Sequence, residues 1–240
     1  MNGVARLPAN ERRDLPAIQT RFEIVLGSAN GAAWSLGPAP DNPEELVFTP
    51  PAAVAGAGGY VSTNVRLEMG SGVDPEPVVV RAIEPYAAQE FPSYFTHPTA
   101  DVVVLDIVRT FCEKATILHM VNTRTKDVSL TRMSRHFYDV ASFHEHECLA
   151  DVSALLTTMS RAADHKADYF PTAGVDYGKC ATGSLALVPS GKRLAALQSD
   201  YANMAAMFFG EVIAFDEIIR RLSVIENRLN AAARNATATD

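Results

Sequence analysis

The stretch Arg109-Thr110-Phe111-Cys112-Glu113-Lys114-Ala115-Thr116-Ile117-Leu118-His119 marks the change from strand patterns to helical patterns along the chain. Asp106 precedes it and is a suitable N-cap, because its carboxylate can accept hydrogen bonds from first-turn amides. Lys114 adjoins the apolar run 115–118, which places its ammonium group near the edge of a buried stripe. A cation at such an edge needs a partner or a ligand. The sequence therefore predicts a helix with a potentially functional lysine at the rim of the core.

A second segment, Arg135-His136-Phe137-Tyr138-Asp139, follows about twenty residues later and also has a helical pattern. Arg135 and Asp139 are four residues apart and so share one face of a helix. Together with Lys114 in one cleft, they could bind a polyphosphate. They could equally form an ordinary salt-bridge network, and the spacing alone leaves both interpretations open.

Bulk composition narrows the class of protein. A chain of 240 residues, 48% hydrophobic and 20% charged, can form one large domain or two modest ones with a real core. The chain contains no run of about 18 apolar residues, so no transmembrane helix is expected. The N-terminus does not have the pattern of a signal peptide. The cysteines are odd in number and widely spaced, at positions 112, 148 and 180. This usage fits reduced thiols, so the sequence predicts a cytoplasmic protein.

Charge is distributed unevenly along the chain. The net charge of −7 argues against a dedicated duplex-DNA binder. The window 109–135 is nevertheless basic: it holds Arg109, Lys114, Arg124, Lys126, Arg132 and Arg135 against Glu113 and Asp127. Such a strip could contact a phosphate-bearing ligand, or it could be a solvated loop between two helices.

The pattern predicts an α+β protein with a β-rich region at 1–105, a helical region at 106–235 and a frayed tail at 236–240. Pro and Gly mark loops through the first region. We predict strands at Phe22–Leu26, Val61–Met69, Val78–Ile83 and Val102–Leu105, the last of them buried. Further helices are predicted at 131–144, 148–162, 192–209 and 214–234, with a loop-rich connector over 164–187.

Three other features are candidates for chemistry. Glu68 lies within a predicted strand. On a central strand beside a Gly-Ser turn, its carboxylate could be a base or a metal ligand; it could also be an exposed residue paired with Arg66 or a neighbour. His119 is expected to be a core or interface histidine. The stretch His144-Glu145-His146-Glu147-Cys148 is rich in ligand atoms, but its spacing matches no zinc motif, and a polar helix end is the simpler interpretation.

From about Tyr60 to Asn230, the chain resembles the nucleotidyl transferase AbiEii/AbiGii toxin family of bacterial type IV toxin–antitoxin and phage-defence systems. Several separated motifs agree in order: Val65–Gly70, Ile83–Tyr86, Glu90–Pro92, Arg109–His119, Arg135–Val140, Asp200–Met204 and Ile225–Asn230. The motif Arg135-His136-Phe137-Tyr138-Asp139-Val140 is similar to the family's Arg-His-Tyr-Tyr-Asp-Leu. Cys112 stands where the family has tryptophan, which we interpret as a packing change.

The resemblance implies a fold and a site. The fold would be a polymerase-β-like nucleotidyltransferase half, a mixed sheet with helices, followed by an all-helical C-terminal region. Lys114, Arg135 and Arg109 would bind the nucleoside triphosphate, Asp139 and Glu68 would be catalytic, and Glu68 would also bind Mg²⁺. The implied acceptor is tRNA, and a cognate antitoxin is an implied partner.

One departure from the family pattern bears on activity. The family's first motif is a Gly-Ser turn followed by a strand with Asp-x-Asp or Asp-x-Glu. Here Gly27-Ser28 is followed by the proline-rich stretch 38–51, which we take to exclude a central strand near Asp41–Glu45. Gly27-Ser28 is therefore not assigned as that motif, and the metal-binding pair is expected upstream of Met1.

Two functional hypotheses follow from this departure. The first is a nucleotidyltransferase toxin that, as this chain stands, transfers nucleotides poorly or not at all. The alternative is a non-catalytic remnant or a module of the same fold that binds nucleotide, RNA or a partner protein.

Overall fold

A computed structural model describes residues 20, 34–42, 45–51, 62–68, 74, 76–126, 129–208 and 210–237. Within these residues the strands precede Asp106 and the long helices follow it, so the predicted α+β class is confirmed. The predicted strand Phe22–Leu26 and the Gly27-Ser28 turn lie outside the described residues. In the part of the chain that is described, no helix is long and apolar enough to cross a membrane.

The chain divides into two compact units that are interleaved along the sequence. The first comprises Met1–Val73, Ser129–Arg135 and Leu194–Ile213, and the second comprises Asp74–Val128, His136–Arg193 and Ala214–Asp240. The predicted division at residue 105 separates strands from long helices, but it does not coincide with the boundaries of these units.

The first unit contains a three-stranded antiparallel sheet in the order β1-β2-β3. Its strands are β1 (Ser35–Pro38), β2 (Glu45–Thr49) and β3 (Val65–Glu68). The expectation that prolines exclude a central strand here is wrong, because β2 begins at Glu45 and is the central strand. Proline disrupts only where a ladder N–H is needed. In this sheet Pro38 ends the edge strand β1 and Pro50 follows β2.

Side-chain alternation in this sheet follows the predicted pattern. Leu46 pairs with Leu67 and is buried, while Val47 pairs with Arg66. Because directly opposed residues of antiparallel strands share a face, Leu46 and Leu67 lie on one side and Arg66 on the other. Trp34 and Phe48 extend the apolar side, with ring centroids 6.3 Å apart.

The second unit contains a two-stranded antiparallel sheet of β4 (Val78–Ile83) and β5 (Ala100–Leu105), paired from Val78↔Leu105 to Ile83↔Ala100. Between these strands lie α1 (Tyr86–Glu90) and a 3₁₀ turn. Both strands were predicted, but the expected burial of 102–105 is wrong. Val103 is 66% exposed and Val102 40% exposed. A continuous apolar run indicates a strand covered on both faces, and the described residues do not cover this one.

Helices follow from Asp106 onward. They are α2 (Ile107–Thr123), α3 (Ser134–Ser142), α4 (Val152–Tyr169), α5 (Gly191–Asn203) and α6 (Phe215–Thr237). Asp106 caps α2 as predicted, since its Oδ1 accepts from the amide of Val108 at 2.9 Å. The predicted helices are present with shifted ends. The largest shift is in α4, which extends to Tyr169 and takes up the start of the predicted connector.

The helical core of the second unit forms where α2 packs on α4. Phe111, Leu118, Leu155 and Met159 are fully buried there. The C-terminal helix α6 holds the segment 183–188 through polar side chains. Glu226 accepts from the amides of Leu187 and Val188, Asn230 bonds both backbone groups of Leu185, and Arg234 donates to the Gly183 carbonyl.

Candidate functional site

Lys114 and Asp139, from the two separated helical motifs, form an ion pair. Lys114 Nζ donates to Asp139 Oδ2 at 2.6 Å, and the two side chains are 30% and 36% exposed. The structure thus brings the two motifs together in a salt bridge, one of the two arrangements that the sequence left open. Because solvent screens a pair this exposed, its contribution to stability is expected to be at most about 1 kcal/mol. The pair is therefore accessible to a ligand and inexpensive to open.

The burial pattern of α2 places Lys114 at the edge of the core. Phe111, Ala115 and Leu118 are fully buried on the same helix, while Lys114 is half-buried. On α3, the half-buried Asp139 lies in sequence between Phe137 and Val140, which are both fully buried. The predicted lysine at the rim of an apolar stripe is thus confirmed, and Asp139 has the equivalent position on its own helix.

Asp200 holds the start of α3 within the first unit. Its carboxylate accepts from the Arg132 amide at 2.7 Å, the Ser134 amide at 2.9 Å and the Ser134 hydroxyl at 2.6 Å. Arg132 adopts φ +63, a left-handed conformation that is uncommon for a residue with a side chain. The carboxylate thus binds the strained turn from which the helix of Arg135 and Asp139 begins.

Sequence reasoning assigned no role to Asp200, although a usable signal was present. Leu197, Asp200, Tyr201 and Met204 are spaced as one helix face, and all four are buried. A carboxylate on an otherwise apolar face indicates a buried acceptor with several donors.

Arg109 is completely buried between two carboxylates. Its Nη1 lies 3.1 Å from Asp74 Oδ2, in an ion pair without hydrogen-bond alignment, and its Nη2 lies 2.5 Å from Glu113 Oε1. The network continues outward, because Glu113 also pairs with Lys166 and Asp74 with Arg161, each at 2.8 Å. Burial alone would raise the pKa of Asp74, but the hydrogen bond from the Glu76 amide and the cations of Arg161 and Arg109 lower it overall. This arrangement favours a structural role for Arg109 over the predicted contact with nucleotide.

Arg135 lies one helical turn before Asp139 on α3. It is half-buried, and its Nε atom is buried without a hydrogen-bond partner. Arg135 belongs to the first unit and His136 to the second, so the boundary between the units passes through α3. The predicted contact of Arg135 with phosphate stays a prediction.

Glu68 is the last residue of β3, which is an edge strand and not the central strand expected for it. Its side chain is exposed and directly opposes Glu45 in the register. Arg66 pairs with Glu45 at 2.7 Å and with Asp41 at 3.2 Å, which relieves part of this repulsion. Glu68 belongs to the first unit and Lys114 to the second, so a catalytic or metal-binding role for Glu68 stays a prediction.

His119 is a core residue, as expected. Its Nε2 lies 3.1 Å from the Asp176 carbonyl, and its Nδ1 accepts from the Ala186 amide at 3.1 Å. This pairing requires the neutral ring with hydrogen on Nε2. Burial lowers the pKa of His119, in agreement with that tautomer. His119 therefore ties α2 to two backbone segments and is not available to a ligand.

The cysteines and the His144–Cys148 stretch form no ligand set in the described residues. Cys112, Cys148 and Cys180 are free, and burial raises the pKa of Cys112 to about 12. Cys112 is fully buried, which agrees with a packing role. His146 caps the short helix Glu147–Leu149, because its Nδ1 accepts from the Cys148 amide at 3.0 Å.

Magnesium in nucleotidyl transfer is held by carboxylates together with substrate phosphates. Nowhere in the described ranges do three or more His, Cys, Asp or Glu side chains come together as a metal site. Asp139 supplies a single carboxylate, and its Oδ2 faces Lys114. The described residues therefore do not fit a magnesium site of their own.

Comparison with protein families identifies the class to which this chain belongs. The model of the family described as nucleotidyl transferase AbiEii toxin, type IV TA system, matches residues 11–221. The chain therefore belongs to the AbiEii nucleotidyl transferase toxin family, which implies a nucleotide substrate, usually a metal ion, and a cognate antitoxin. The match begins well before Tyr60, where the first motif was recognised. Searches of curated proteins and of solved structures give no match.

Proposed function

We propose that this protein is a nucleotidyltransferase-type toxin that transfers a nucleotide from a nucleoside triphosphate to an RNA acceptor, with tRNA as the acceptor class. The observation that carries the proposal is the 2.6 Å contact between Lys114 and Asp139, which come from two separated family motifs. Nucleotidyl transfer depends on charge neutralisation and in-line positioning more than on covalent chemistry by the protein. A cation and a carboxylate side by side at a half-exposed position can supply both.

In the proposed reaction, an RNA hydroxyl oxygen attacks the α-phosphorus and forms a new phosphorus–oxygen bond. The bond from the α-phosphorus to the bridging oxygen breaks, and pyrophosphate leaves. Lys114 leaves its pair with Asp139 to bind the triphosphate as a point charge. Asp139, released from Lys114, orients the acceptor hydroxyl and accepts its proton. The ion pair thus holds both groups in place until substrate binds.

No step of this proposal passes through a metal, because the described residues do not form a metal site. We propose Mg²⁺ as the ion that accompanies the triphosphate, bound chiefly by its phosphates. Transfer assays with and without Mg²⁺ test this part separately.

The test is incubation of the protein with tRNA, Mg²⁺ and each labelled nucleoside triphosphate, beside Asp139→Asn as the matched variant. Because the described residues bring no cluster of carboxylates to this site, we expect slow incorporation by the unchanged protein and none by Asp139→Asn. Incorporation by Asp139→Asn at the rate of the unchanged protein would refute the assignment of this site.

The lack of a carboxylate cluster in the described residues specifically favours a second candidate, a module that binds nucleotide without transferring it. This candidate predicts a measurable triphosphate affinity that requires Lys114, together with no label incorporation under any condition.

A further inference from the structure

The C-terminal end of α2 carries a cluster of basic side chains that the proposed reaction does not use. Arg124 and Lys126 follow the helix, and the fold brings Lys192 and Arg193 to the same end from the start of α5. The link is direct, because Arg193 donates to the carbonyls of Asn122 at 3.1 Å and Arg124 at 2.5 Å. We call Arg124, Lys126, Lys192 and Arg193 the basic cluster; all four lie in the second unit.

The side chains of the basic cluster differ in how far their charge is used within the fold. Arg193 is half-buried and satisfies the last carbonyls of α2, where the helix dipole is negative. Its charge is therefore largely used within the fold. Lys126 and Lys192 are exposed, so their ammonium groups project their charge into solvent. In the neighbouring segment, Asp176 is also exposed, but its Oδ1 accepts from the Gly178 amide at 3.1 Å.

The basic cluster begins beyond the C-terminal end of the helix that carries Lys114. Arg124 follows Lys114 by ten positions, which corresponds to a rise of about 15 Å along α2 at 1.5 Å per residue. A stacked nucleic-acid strand advances about 3.4 Å per nucleotide, so this distance spans roughly four to five nucleotides. An RNA strand whose acceptor hydroxyl lies at Asp139 would therefore reach the cluster with its fourth or fifth nucleotide.

We infer that the basic cluster binds the phosphate backbone of the RNA acceptor, through Lys126 and Lys192, about four to five nucleotides from the acceptor hydroxyl. This inference rests on the proposed function for the identity of the reacting end. The protein carries a net charge of −7, so a local basic surface would also fix the orientation in which an RNA approaches.

The surroundings of the cluster favour a nucleic-acid backbone over an acidic protein. Stable protein interfaces have an apolar, often aromatic, centre. Among the described residues, none of the large exposed hydrophobic side chains lies in segments 119–126 or 174–193, which carry or adjoin the cluster. Because these described segments expose no aromatic side chain for base stacking, the expected contact of the cluster is with phosphates and is independent of base sequence.

The experiment measures the affinity of the full chain for labelled tRNA and for a trinucleotide with a free 3′ hydroxyl. The variant is Lys126→Glu/Lys192→Glu, and Arg81→Glu on β4 is the matched control, since β4 pairs with the strand that leads into the opposite end of α2. A neutral variant, Lys126→Gln/Lys192→Gln, repeats the test with a smaller change in charge. Melting temperatures establish that each variant is folded.

We expect the Glu variant to bind tRNA roughly tenfold more weakly at low salt and to lose about one unit of salt slope for each lysine. Affinity for the trinucleotide should not change, because three nucleotides span only about 10 Å. Arg81→Glu should leave both affinities unchanged. These are binding measurements, so they give a result even if the protein proves to transfer no nucleotide.

Three outcomes would overturn the inference. The first is tRNA affinity and salt slope that are unchanged in both lysine variants. The second is an equal loss in Arg81→Glu, which would indicate a general effect of charge. The third is competition by polyglutamate as effective as that by RNA at matched charge, which would make this a surface for acidic proteins.

Discussion

Arg109→Met tests whether Arg109 is a structural cation or a nucleotide ligand. Methionine keeps the apolar stem of the side chain and removes the guanidinium group. The change leaves Asp74 and Glu113, which are 13% and 20% exposed, without their shared cation. Removing one partner of a fully buried pair costs about 3–5 kcal/mol, because the other charge remains buried.

The expected loss is smaller for this network, because each carboxylate keeps a second cation. Asp74 retains Arg161 and Glu113 retains Lys166, each at 2.8 Å. We therefore expect Arg109→Met to lower the free energy of unfolding by about 2–3 kcal/mol. At about 2–4 °C per kcal/mol for a chain of this length, the melting temperature should fall by roughly 4–12 °C.

The control is Arg161→Met, which removes a cation from the same Asp74 at a position 54% exposed. Screening by solvent limits its cost to less than about 1 kcal/mol. Urea unfolding and triphosphate titration are measured on the same samples. If Arg109→Met kept its stability and lost nucleotide affinity, Arg109 would be a ligand, and the structural interpretation would be refuted.

Three further changes test other parts of the fold. Because the pKa of His119 is lowered in the folded state, the folded protein binds fewer protons than the unfolded chain. The free energy of unfolding should therefore fall as the pH drops below about 6.5, by at most about 1.4 kcal/mol per pH unit. Unfolding of His119→Gln should depend less steeply on pH. Gly183 has φ +88, and a Cβ there would lie 2.6 Å from Arg234 Cγ. Gly183→Ala should therefore lower the free energy of unfolding by about 1–2 kcal/mol, measured by thermal unfolding. Ala186→Gly in the same segment is the control, because it introduces no such strain. Asp200→Asn keeps the shape of the side chain but offers the Ser134 amide and hydroxyl a weaker acceptor. The free energy of unfolding should fall by about 1–3 kcal/mol. An unchanged urea midpoint would contradict the role given to this carboxylate.

Local patterns predicted the elements that depend on local physics. Asp106 as an N-cap, the alternation of Leu67 with Arg66, and Lys114 at the rim of the core were all readable from neighbouring residues. These three features depend on local patterning, which the sequence displays directly. The family resemblance, and not a local pattern, implied that Lys114 and Asp139 serve one site, and the structure brings them into contact.

The remaining features depend on contacts between distant positions. The resemblance assigned Arg109 to the triphosphate; its ion pair with Asp74, 35 residues away, and its burial have no local signature in the sequence. The exposure of Val103 was not predictable either, because an apolar run does not reveal which layers cover it. The prolines near β2 did not prevent it from being the central strand. A proline disrupts a sheet only where its missing N–H would pair with a neighbouring strand, and the sequence alone does not show which N–H groups pair.

The most direct test of the central claim is the affinity of the protein for each nucleoside triphosphate, measured by titration calorimetry before and after Lys114→Ala. Arg81→Ala is the control for loss of one positive charge, and melting temperatures are recorded for all three proteins. If Lys114 binds the triphosphate, Lys114→Ala should weaken binding by about 1–3 kcal/mol, or roughly 5- to 150-fold. Its melting temperature should change by no more than about 4 °C, because the pair with Asp139 is half-exposed. An unchanged affinity together with a large fall in melting temperature would show that Lys114 is only a structural partner of Asp139.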